Sequence, residues 1–454
     1  MIKKAKEISL KLKEWDDIVI VSHTDADGLC AAAIMQKSLE RIGKTVKVKF
    51  IKQLYSDTFQ EIKILGKKFV FTDFGSGQLK QLIQEFGTNF IVLDHHEPLE
   101  IDYPLHLNPG LYGLNGSNEV SGAGVTFFAA RELGDNKDLT FLAVLGAFGD
   151  MMDTKTSQLE SINSELLKEA IKLKQITEKT DIKLYGRLSR PLTQFISLAS
   201  DPFLPGLTAN EEASKNLLLS LGINLKEKEK WKTYNDLTVK EKQDLVSWLL
   251  VLLSQKGFPG SMNRLIGKVF ELNFEPQNSI LKDVKEFTTA LNATARNGKP
   301  ELGLRLCLGD RGEVYEQVVS MLALHRRNLR EGIEFVKEHG VKEFSNFYYF
   351  DAESIVNERI VGIIAGMLYS SGLINNDKPV IAVCDIEDNQ IKISARANWQ
   401  LVKNGLHLGK SLRKVFSSMS SDCEGGGHSI AAGGRLPRTS LKEFLEKLDE
   451  NLKK

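Results

Sequence analysis

Residues 17–28 read DIVIVSHTDADG, a run of β-branched residues that ends in a polar cluster. Similar short apolar runs recur at 46–51 (VKVKFI), 69–74 (FVFTDF) and 90–96 (FIVLDHH), and helical segments separate them. Strands that are buried on both faces of a parallel sheet are nearly all apolar. Alternation of strands and helices is typical of a parallel sheet covered by helices. We therefore predict an α/β fold for the N-terminal part of the chain.

Acidic and imidazole side chains follow these apolar runs or the helical segments after them. The carboxyl ends of the strands in an open parallel sheet face one crevice, so polar side chains placed directly after the strands converge. The sequence predicts one cluster composed of His23, Asp25, Asp27, Asp73, Asp94, His95, His96 and Asp150.

Carboxylates and imidazoles without a thiolate form a ligand set that suits Mn²⁺ or Mg²⁺. The predicted cluster holds too many acids for one ion, because like charges in one crevice repel and raise one another's pKa. A two-metal centre removes that cost and keeps the carboxylates ionised. Two ions about 3.5–4 Å apart, sharing one carboxylate, can activate a water for in-line displacement at phosphorus.

Each of these groups also has a purely structural explanation. The aspartates of SHTDADG and Asp73 could cap the helices that follow them, and Asp150 could be an ordinary cap or surface acid. The consecutive Asp94, His95 and His96 are harder to explain in this way, because three polar groups at a buried strand end must be satisfied by something. Four such positions in one chain favour a functional cluster.

Composition limits the class of protein. The 454 residues include 60 Lys and Arg and 59 Asp and Glu, which gives a formal net charge of +1, and 42% are hydrophobic. These values fit a soluble globular protein and confine any nucleic-acid contact to a local basic region. The four cysteines form no CxxC pair, so we expect neither a zinc ribbon nor a disulfide framework. No apolar run approaches the about 20 residues of a membrane span, and we expect a cytoplasmic protein without a membrane anchor.

We divide the chain into three parts. Residues 1–190 form the parallel-sheet domain, residues 191–335 form a helix-rich central insertion without a chemical motif, and in residues 336–454 the alternation of strands and helices resumes. The expected architecture is α/β, with a smaller C-terminal α/β domain and an active-site cleft between the two α/β domains.

The C-terminal part offers a candidate anion site. Backbone amides of Gly425, Gly426 and Gly427, in an expected loop GGGHSIAAGG, could approach an anion closely. His428 would add a donor there, and Arg396 on the strand ISARAN could present a planar fork to a phosphate. The structural alternative is a tight connection between a strand and a helix.

For two further stretches a structural role is the preferred interpretation. The cluster Arg326, Arg327 and Arg330 could follow a nucleic-acid backbone, although charged runs are more often solvated helix faces. The stretch VGIIAGML is expected to be a buried helix, in which Gly362 and Gly366 allow close approach of its neighbours.

The motifs SHTDADG, FTDFGSG, LDHHEP and GAFGD resemble, in this order and spacing, the four motifs of the DHH phosphoesterase superfamily. The stretches ISARAN and EGGGHSIAAGG resemble the DHH-associated domain that accompanies them. The chain length, the central insertion and the VGIIAGML helix are most similar to archaeal RecJ-like exonucleases, including the GINS-associated nuclease.

The resemblance implies roles for individual residues. Two divalent cations, Mn²⁺ by preference or Mg²⁺, would have as ligands His23, Asp25 and Asp73 for one ion, and Asp27, Asp73, His95 and Asp150 for the other. Asp73 would be the bridge. His96 would lie near the scissile phosphate and Asp94 would orient its neighbours, which makes these two the candidate catalytic residues. The substrate phosphate would be held by Arg396, Gly425, Gly426, Gly427 and His428.

The resemblance further implies an exonuclease that hydrolyses single-stranded DNA or RNA to mononucleotides, with 5′ to 3′ as the expected polarity, and GINS or other replisome proteins as candidate partners. Two alternatives stay open. One is a phosphoesterase for short oligoribonucleotides, cyclic dinucleotides or phosphoadenosine phosphate, which the large middle region disfavours. The other is a replisome scaffold with little catalysis, which the complete set of ligand side chains disfavours.

Overall fold

The computed structural model describes all residues except 53, 55, 155, 200, 201, 209, 257–261, 263, 278, 372, 388, 420–422, 428, 453 and 454. Within helices and strands it also leaves out the side chains of residues 56, 57, 370, 399 and 424. The chain forms two compact units. The first comprises Met1–Arg190, Thr233–Asn235 and Ile266–Leu322, and the second comprises Pro191–Lys232, Asp236–Leu265 and Ala323–Lys454.

A parallel sheet of five strands is the centre of the first unit, with the strand order β2-β1-β3-β4-β5. The strands are β1 Asp17–His23, β2 Thr45–Ile51, β3 Phe69–Thr72, β4 Phe90–Leu93 and β5 His106–Leu107. Ile18 and Ile20 of β1 pack into one hydrophobic core, and Val19 and Val21 pack into another. Strand β1 is therefore buried on both faces, and the predicted parallel α/β sheet is confirmed.

Helices pack against this sheet and contribute to both cores. Their bounds are Ile2–Glu14, Ala26–Arg41, Ser56–Lys63, Leu79–Phe86, Gly122–Leu133, Thr140–Gly149, Ser161–Lys172, Val284–Arg296 and Pro300–Cys307. The helix Ala26–Arg41 begins directly after β1, because the side chain of Asp25 accepts the N–H of Gly28 and caps it.

The middle of the chain contributes to both units. It is rich in helices, as predicted, but the first unit also contains an antiparallel ribbon of β6 Ile176–Ile182 and β9 Ile266–Leu272. The second unit contains a shorter ribbon of β7 Lys226–Glu227 and β8 Lys230–Trp231. The β6–β9 pairing was not predicted, because pairing between strands distant in sequence leaves no local pattern.

A mixed sheet of six strands, in the order β10-β11-β12-β13-β15-β14, is the centre of the second unit. The strands are β10 Lys342–Glu343, β11 Tyr348–Asp351, β12 Val380–Asp385, β13 Gln390–Arg396, β14 Glu424–Gly427 and β15 Ala431–Pro437. Strands β11 and β12 pair in parallel, and the other neighbours pair antiparallel. Phe347 and Tyr349 enter one core, and Tyr348 enters the core on the opposite face.

Some helices of the second unit pack against this sheet, and others precede it in the chain. Their bounds are Leu192–Ser197, Glu211–Ser220, Val239–Gln255, Val361–Ser371, Trp399–Lys403, Leu408–Phe416 and Leu441–Asn451. The long helix Glu313–His339 begins in the first unit and ends in the second.

The glycine-rich stretch 425–434 was predicted to be a loop, and this prediction is wrong for residues 425–427 and 431–434, which lie in strands. Gly425, Gly426 and Gly427 lie in β14 and pair with β15. Glycine fits this strand because the neighbouring helix lies very close: a Cβ on Gly425 would be 2.2 Å from the ring of Phe416. The glycines of this edge strand are therefore explained by close packing that admits no side chain, and not by a turn of the chain.

The helix predicted from VGIIAGML is present and largely buried, as Val361–Ser371. A Cβ on Gly362 would lie 2.5 Å from the guanidinium of Arg396, so this glycine does allow a close approach. The same prediction is wrong for Gly366, since outside its own helix no atom of the described residues lies within 4 Å of an added Cβ.

The four cysteines, Cys30, Cys307, Cys384 and Cys423, are buried and form no disulfide, in agreement with the prediction that the chain has no disulfide framework. Burial and contact with the thiol of Cys307 raise the pKa of Cys30 well above its usual value. Within the part of the chain that the structure describes, none of the helices combines the length and the apolar character that crossing a bilayer requires.

Candidate metal centre

The end of β1 and the turn after it form one side of the predicted cluster. Nδ1 of His23 lies 2.8 Å from Oδ2 of Asp25 and 3.6 Å from Oδ2 of Asp73. Oδ1 of Asp25 accepts the N–H of Gly28 at 3.0 Å and caps the following helix. The structural explanation therefore accounts for one oxygen of Asp25, while the other oxygen faces the cluster.

Asp27 lies in the first turn of the same helix and is completely buried. Its Oδ2 accepts the N–H of Gly122 at 2.6 Å, and its Oδ1 accepts the N–H of Ala123 at 2.8 Å. These two donors begin the helix Gly122–Leu133, where unpaired N–H groups and the helix dipole favour a negative charge. The stretch SGAG thus holds Asp27 in place from a different part of the chain.

Asp73 lies between the two sides of the cluster. It follows β3 with φ of 64°, a left-handed conformation that few residues other than glycine adopt, and it is 1% exposed. Both of its carboxylate oxygens are buried without a hydrogen-bond partner among the described residues. Because an unsatisfied buried carboxylate is costly, this position fits a ligand shared by cations.

His95 forms the other side. Its Nδ1 contacts the carbonyl oxygen of Gly116 at 2.7 Å, so Nε2 faces the carboxylates. Nε2 lies 3.2 Å from Oδ1 of Asp73, 3.4 Å from Oδ2 of Asp150 and 3.8 Å from Oδ2 of Asp27. It has no hydrogen-bond partner among the described residues. Asp150, which could have been an ordinary surface acid, thus lies within the cluster.

Close packing at two glycines makes this assembly sterically feasible. A Cβ on Gly122 would lie 2.4 Å from Oδ1 of Asp73, and a Cβ on Gly146 would lie 2.2 Å from Oδ1 of Asp27. Side-chain carbons do not approach oxygens so closely, so each position requires glycine. The helices Gly122–Leu133 and Thr140–Gly149 can therefore approach the carboxylates only where they lack side chains.

Asp94 lies beneath the two histidines and is completely buried. Its Oδ1 accepts the N–H of His95 at 2.8 Å and that of His96 at 3.2 Å, and lies 2.8 Å from Nδ1 of His96. Although burial alone would raise the pKa of Asp94, the contacts with His96 and His95 lower it. The side chain of His96 is 48% exposed, so the ring is held at one nitrogen and open to solvent elsewhere.

Without cations the cluster has unfavourable electrostatics. Burial and the charges of Asp73 and Asp150 raise the pKa of Asp27 well above its usual value, and burial raises the pKa of Asp150 to about 7. Burial alone would lower the pKa of His95, but the contact with Asp73 and the charges of Asp150 and Asp27 raise it well above its usual value. Divalent cations at this place would let the carboxylates stay ionised.

The structure brings all the predicted ligands together. Three sets of side chains place possible ligand atoms within 4.8 Å of one another: His23, Asp25 and Asp73; Asp27, His95 and Asp150; and Asp73, Asp94, His95 and His96. The first set equals one of the two ligand groups that the resemblance implies, and the second set is the other group without Asp73, which lies 3.2 Å from Nε2 of His95. Their role as metal ligands stays a prediction.

Two of the residues next to the cluster that sequence reasoning missed come from one helix. Both lie on the helix Val284–Arg296: Oδ1 of Asn292 accepts the N–H of Ala26 at 2.9 Å, and the charge of Asp25 acts on the guanidinium of Arg296. Burial nevertheless lowers the pKa of Arg296 overall. No motif spacing marks these residues, because they reach the site through packing between distant segments.

The predicted phosphate-binding residues belong to the second unit. Arg396 lies at the end of β13, where its Nη1 donates to the carbonyl of Ala395 at 2.8 Å. Gly425, Gly426 and Gly427 lie in β14, and His428 is outside the described residues. Their role in phosphate binding stays a prediction.

The basic cluster of the middle region lies on the helix Glu313–His339. Nε of Arg327 is 3.8 Å from Oε1 of Glu331, and both side chains are 60% exposed. Arg330 is exposed, whereas Arg326 is only partly exposed. At Arg327 the solvated helix face is the simpler description.

Family models match three parts of the chain. Residues 17–147 match the DHH family, N-terminal domain, residues 184–266 match the DHH-CID domain, and residues 345–454 match the DHHA1 domain. Over 469 aligned residues the chain is 29% identical to an uncharacterized protein from Methanocaldococcus jannaschii. The alignment covers 99% of this chain and 98% of that protein.

Solved structures with the same fold include CDC45 from Entamoeba histolytica and RecJ in complex with Mn²⁺ from Thermus thermophilus. The match to CDC45 has a TM-score of 0.72 and 12% identity and covers 99% of both chains. The match to RecJ has a TM-score of 0.60 and 17% identity and covers 99% of this chain and 55% of that one. At such identities the similarity is one of fold.

Proposed function

We propose that the chain is a RecJ-like member of the DHH superfamily, and that it is a metal-dependent exonuclease that hydrolyses phosphodiester bonds of single-stranded nucleic acid to mononucleotides. One observation supports this function above the others. The buried oxygens of Asp73, which lack partners among the described residues, lie beside two sets of carboxylate and imidazole groups. A scaffold protein has no need for so costly an arrangement.

Two divalent cations, Mn²⁺ by preference or Mg²⁺, fit the donor set of His23, Asp25, Asp27, Asp73, His95 and Asp150. When bound, the cations supply an activated water and compensate the charge of the phosphoryl group. The protein contributes orientation: Gly116 fixes the ring of His95, and the N–H groups of Gly122 and Ala123 fix Asp27.

His96 acts on the substrate in this proposal. Burial would lower the pKa of His96, but the hydrogen bond and the charge of Asp94 raise it overall. The raised pKa favours the imidazolium form, in which Nδ1 faces Asp94 and Nε2 donates to a phosphate oxygen. Asp94 holds this orientation in the proposal, and the catalytic roles of His96 and Asp94 stay predictions.

The proposal also gives the second unit a role in substrate binding. Arg396, Gly425, Gly426, Gly427 and His428 hold the terminal or flanking phosphate of the substrate. The domain limits of 1–190, 191–335 and 336–454 are part of the same proposal. So are 5′ to 3′ polarity, action on single-stranded DNA, RNA or both, a cytoplasmic role in replication or repair, and the binding of GINS or other replisome proteins.

Digestion of end-labelled single-stranded DNA and RNA tests this function. Wild-type protein with Mn²⁺ or Mg²⁺ is compared with the double variant Asp25→Ala/Asp27→Ala and with Asp102→Asn, a control at an exposed loop position. We expect mononucleotides from the wild type and the control, and no cleavage by the double variant. Equal cleavage by the double variant would exclude the proposed centre.

The same assay separates the two alternatives. A strong preference for dinucleotides over long strands would assign the chain to the small-substrate phosphoesterases. Absence of cleavage by wild-type protein that binds Mn²⁺ normally would favour a scaffold role.

A further inference from the structure

A buried polar network contacts the turn that Asp94, His95 and His96 form. The N–H of Ser76 donates to Oδ2 of Asp94 at 2.9 Å. Oγ of Ser76 accepts from Nδ2 of Asn108 at 2.8 Å and lies 2.9 Å from Nε2 of His106. Nδ2 of Asn108 also donates to the carbonyl oxygen of His96 at 2.7 Å. The network therefore joins the segments after β3 and β4 to β5 and the turn that follows it.

The members of this network are completely buried or nearly so. Ser76, Asp94 and Asn108 are 0% exposed, and His106 is 1% exposed. Burial lowers the pKa of His106, which favours the neutral ring, and its Nδ1 has no partner among the described residues. Polar groups at this depth cost free energy unless they are satisfied. Apolar residues would fill the space more cheaply, so the network calls for a reason other than stability.

The contacts of Asn108 indicate what that reason is. Its Oδ1 accepts the N–H of Gly110 at 2.8 Å, which fixes the amide so that both N–H groups point toward Ser76 and His96. His95 is held separately, through Nδ1 and the carbonyl of Gly116. The network is therefore connected to the backbone of His96 and to the carboxylate of Asp94 that holds its ring, and it leaves the ring of His95 untouched.

We propose that Asn108, supported by Ser76 and His106, is a positioning residue that fixes the imidazole of His96 for contact with the substrate phosphate. This inference rests on the proposed function and assigns three residues outside the metal ligand set to it. Asn108 holds the backbone at His96 and the hydroxyl of Ser76, and the N–H of Ser76 occupies the second oxygen of Asp94. Without Asn108, the backbone at His96 is no longer tied to the segment of Ser76, and the ring of His96 loses its fixed direction.

Kinetics of Asn108→Ala test the proposal. The contacts predict that kcat falls about tenfold to a hundredfold, the range found when outer groups around a metal centre are removed. KM for the oligonucleotide and the affinity for Mn²⁺, measured by calorimetry, change less than threefold, because the ligands keep their own supports. Ser76→Ala loses part of this activity, and Ser76→Thr, which keeps the hydroxyl, restores most of it.

Asn136→Ala is the matched control. Asn136 is also a buried asparagine, and its Nδ2 donates to the carbonyl of Ala130 at 2.7 Å, away from the cluster. We expect the Asn136→Ala variant to lose stability as Asn108→Ala does, but to keep the wild-type kcat. Equal losses of kcat in the two variants would show that the effect is only structural and would overturn the proposal.

A double-mutant cycle with His96→Ala identifies the route of the effect. If Asn108 acts through His96, adding Asn108→Ala to His96→Ala lowers kcat less than twofold further. A loss as large as in the wild-type background would overturn the proposal, and so would a parallel loss of Mn²⁺ affinity in Asn108→Ala.

A readout without catalysis separates this inference from the proposed function. Diethyl pyrocarbonate modifies imidazole nitrogens, and mass spectrometry follows its addition to His96, whose Nδ1 is held by Asp94. We expect Asn108→Ala to raise this rate at least threefold, because the released ring offers both nitrogens, while Asn136→Ala leaves it unchanged. If the wild type lacks exonuclease activity but this change occurs, the proposed function fails and the positioning of His96 stands. An unchanged rate overturns the positioning itself.

Discussion

The sheets of the two units carry their polar and glycine motifs in different ways. In the first unit all paired strands of the five-stranded sheet run in parallel, so the residues after β1, β3 and β4 leave the sheet at one edge and meet. In the second unit the sheet is mixed, and the glycine motif is itself the edge strand β14, whose backbone pairs with β15. Motifs after parallel strands thus predict a meeting point, whereas a glycine run alone does not.

Because of this difference, the predicted metal ligands are better supported than the predicted phosphate-binding residues. The convergence of the predicted metal ligands follows from the connectivity of the parallel sheet, and the distances agree with it. No comparable rule of sheet geometry predicts the phosphate-binding role of Arg396 and the β14 glycines, which depends on the resemblance to the DHH-associated domain. Experiments on the first site should therefore give the largest effects.

The largest effect is expected from Asp73→Asn. The substitution keeps the size of the side chain but replaces one carboxylate oxygen with an amide nitrogen, so the side chain can no longer be shared by two cations. We expect the rate of strand hydrolysis to fall by at least about 10³-fold. Initial rates with labelled single strands at saturating Mn²⁺ measure it. Glu100→Gln, at an exposed position, serves as the control and keeps the wild-type rate. A fall of less than tenfold would mean that Asp73 is not shared by two ions.

A smaller loss is expected from Gly122→Ala. The added Cβ would lie 2.4 Å from Oδ1 of Asp73 and displaces that carboxylate, which lowers the rate about 10²-fold. Calorimetry should show weaker Mn²⁺ binding as well. Gly134→Ala, at the other end of the same helix, is the control, because an added Cβ there meets nothing among the described residues within 4 Å. Equal activity of the two variants would contradict the close approach.

The metal-free protein should lose stability as the pH rises. The pKa of Asp150 is raised to about 7 and those of Asp27 and His95 are also raised, so the folded state holds more protons than the unfolded state. The free energy of unfolding therefore decreases with pH above about 5, by up to about 1.4 kcal/mol per pH unit for each group. Urea unfolding in a chelator at pH 5.5 and 8 measures it. Excess Mn²⁺ should remove the slope, and a metal-free protein that is more stable at pH 8 would disprove the shifts.

The smallest effect is expected in the second unit. Arg396→Gln removes one charged contact to a phosphate, and we expect KM for the oligonucleotide to rise about fivefold with little change in kcat. Arg435→Gln, on the neighbouring strand β15 and 56% exposed, is the matched control. If both variants bind substrate as the wild type does, the phosphate site lies elsewhere and the second unit contributes by other residues.

Much of the fold and of the candidate site was predictable from local patterns. Apolar runs gave β1, β3 and β4, and the polar residues at their ends gave His23, Asp73 and His95 as members of one cluster. These features depend on the order of residues within short segments, and a parallel sheet then brings the segments together.

The rest depends on contacts between distant segments. Asn108, Ser76 and Asn292 reach the site through hydrogen bonds that no spacing rule describes, and each looks like an ordinary turn or helix residue in the sequence. The β6–β9 ribbon was missed for the same reason, since its two strands are distant in sequence. The strand β14 was missed although its partner β15 is close in sequence, because a run of glycines is atypical of a strand interior.

The contact between Cys30 and Cys307 has a consequence for chemical durability. Cys30 lies one turn beyond Asp27 on the same helix, and its thiol is held protonated by burial. Oxidants attack the thiolate, and a protonated thiol that solvent does not reach offers them almost none. Oxidation of Cys30, on the helix that carries Asp27, should therefore be slow, and we expect peroxide to inactivate the protein slowly and through groups other than Cys30 and Cys307.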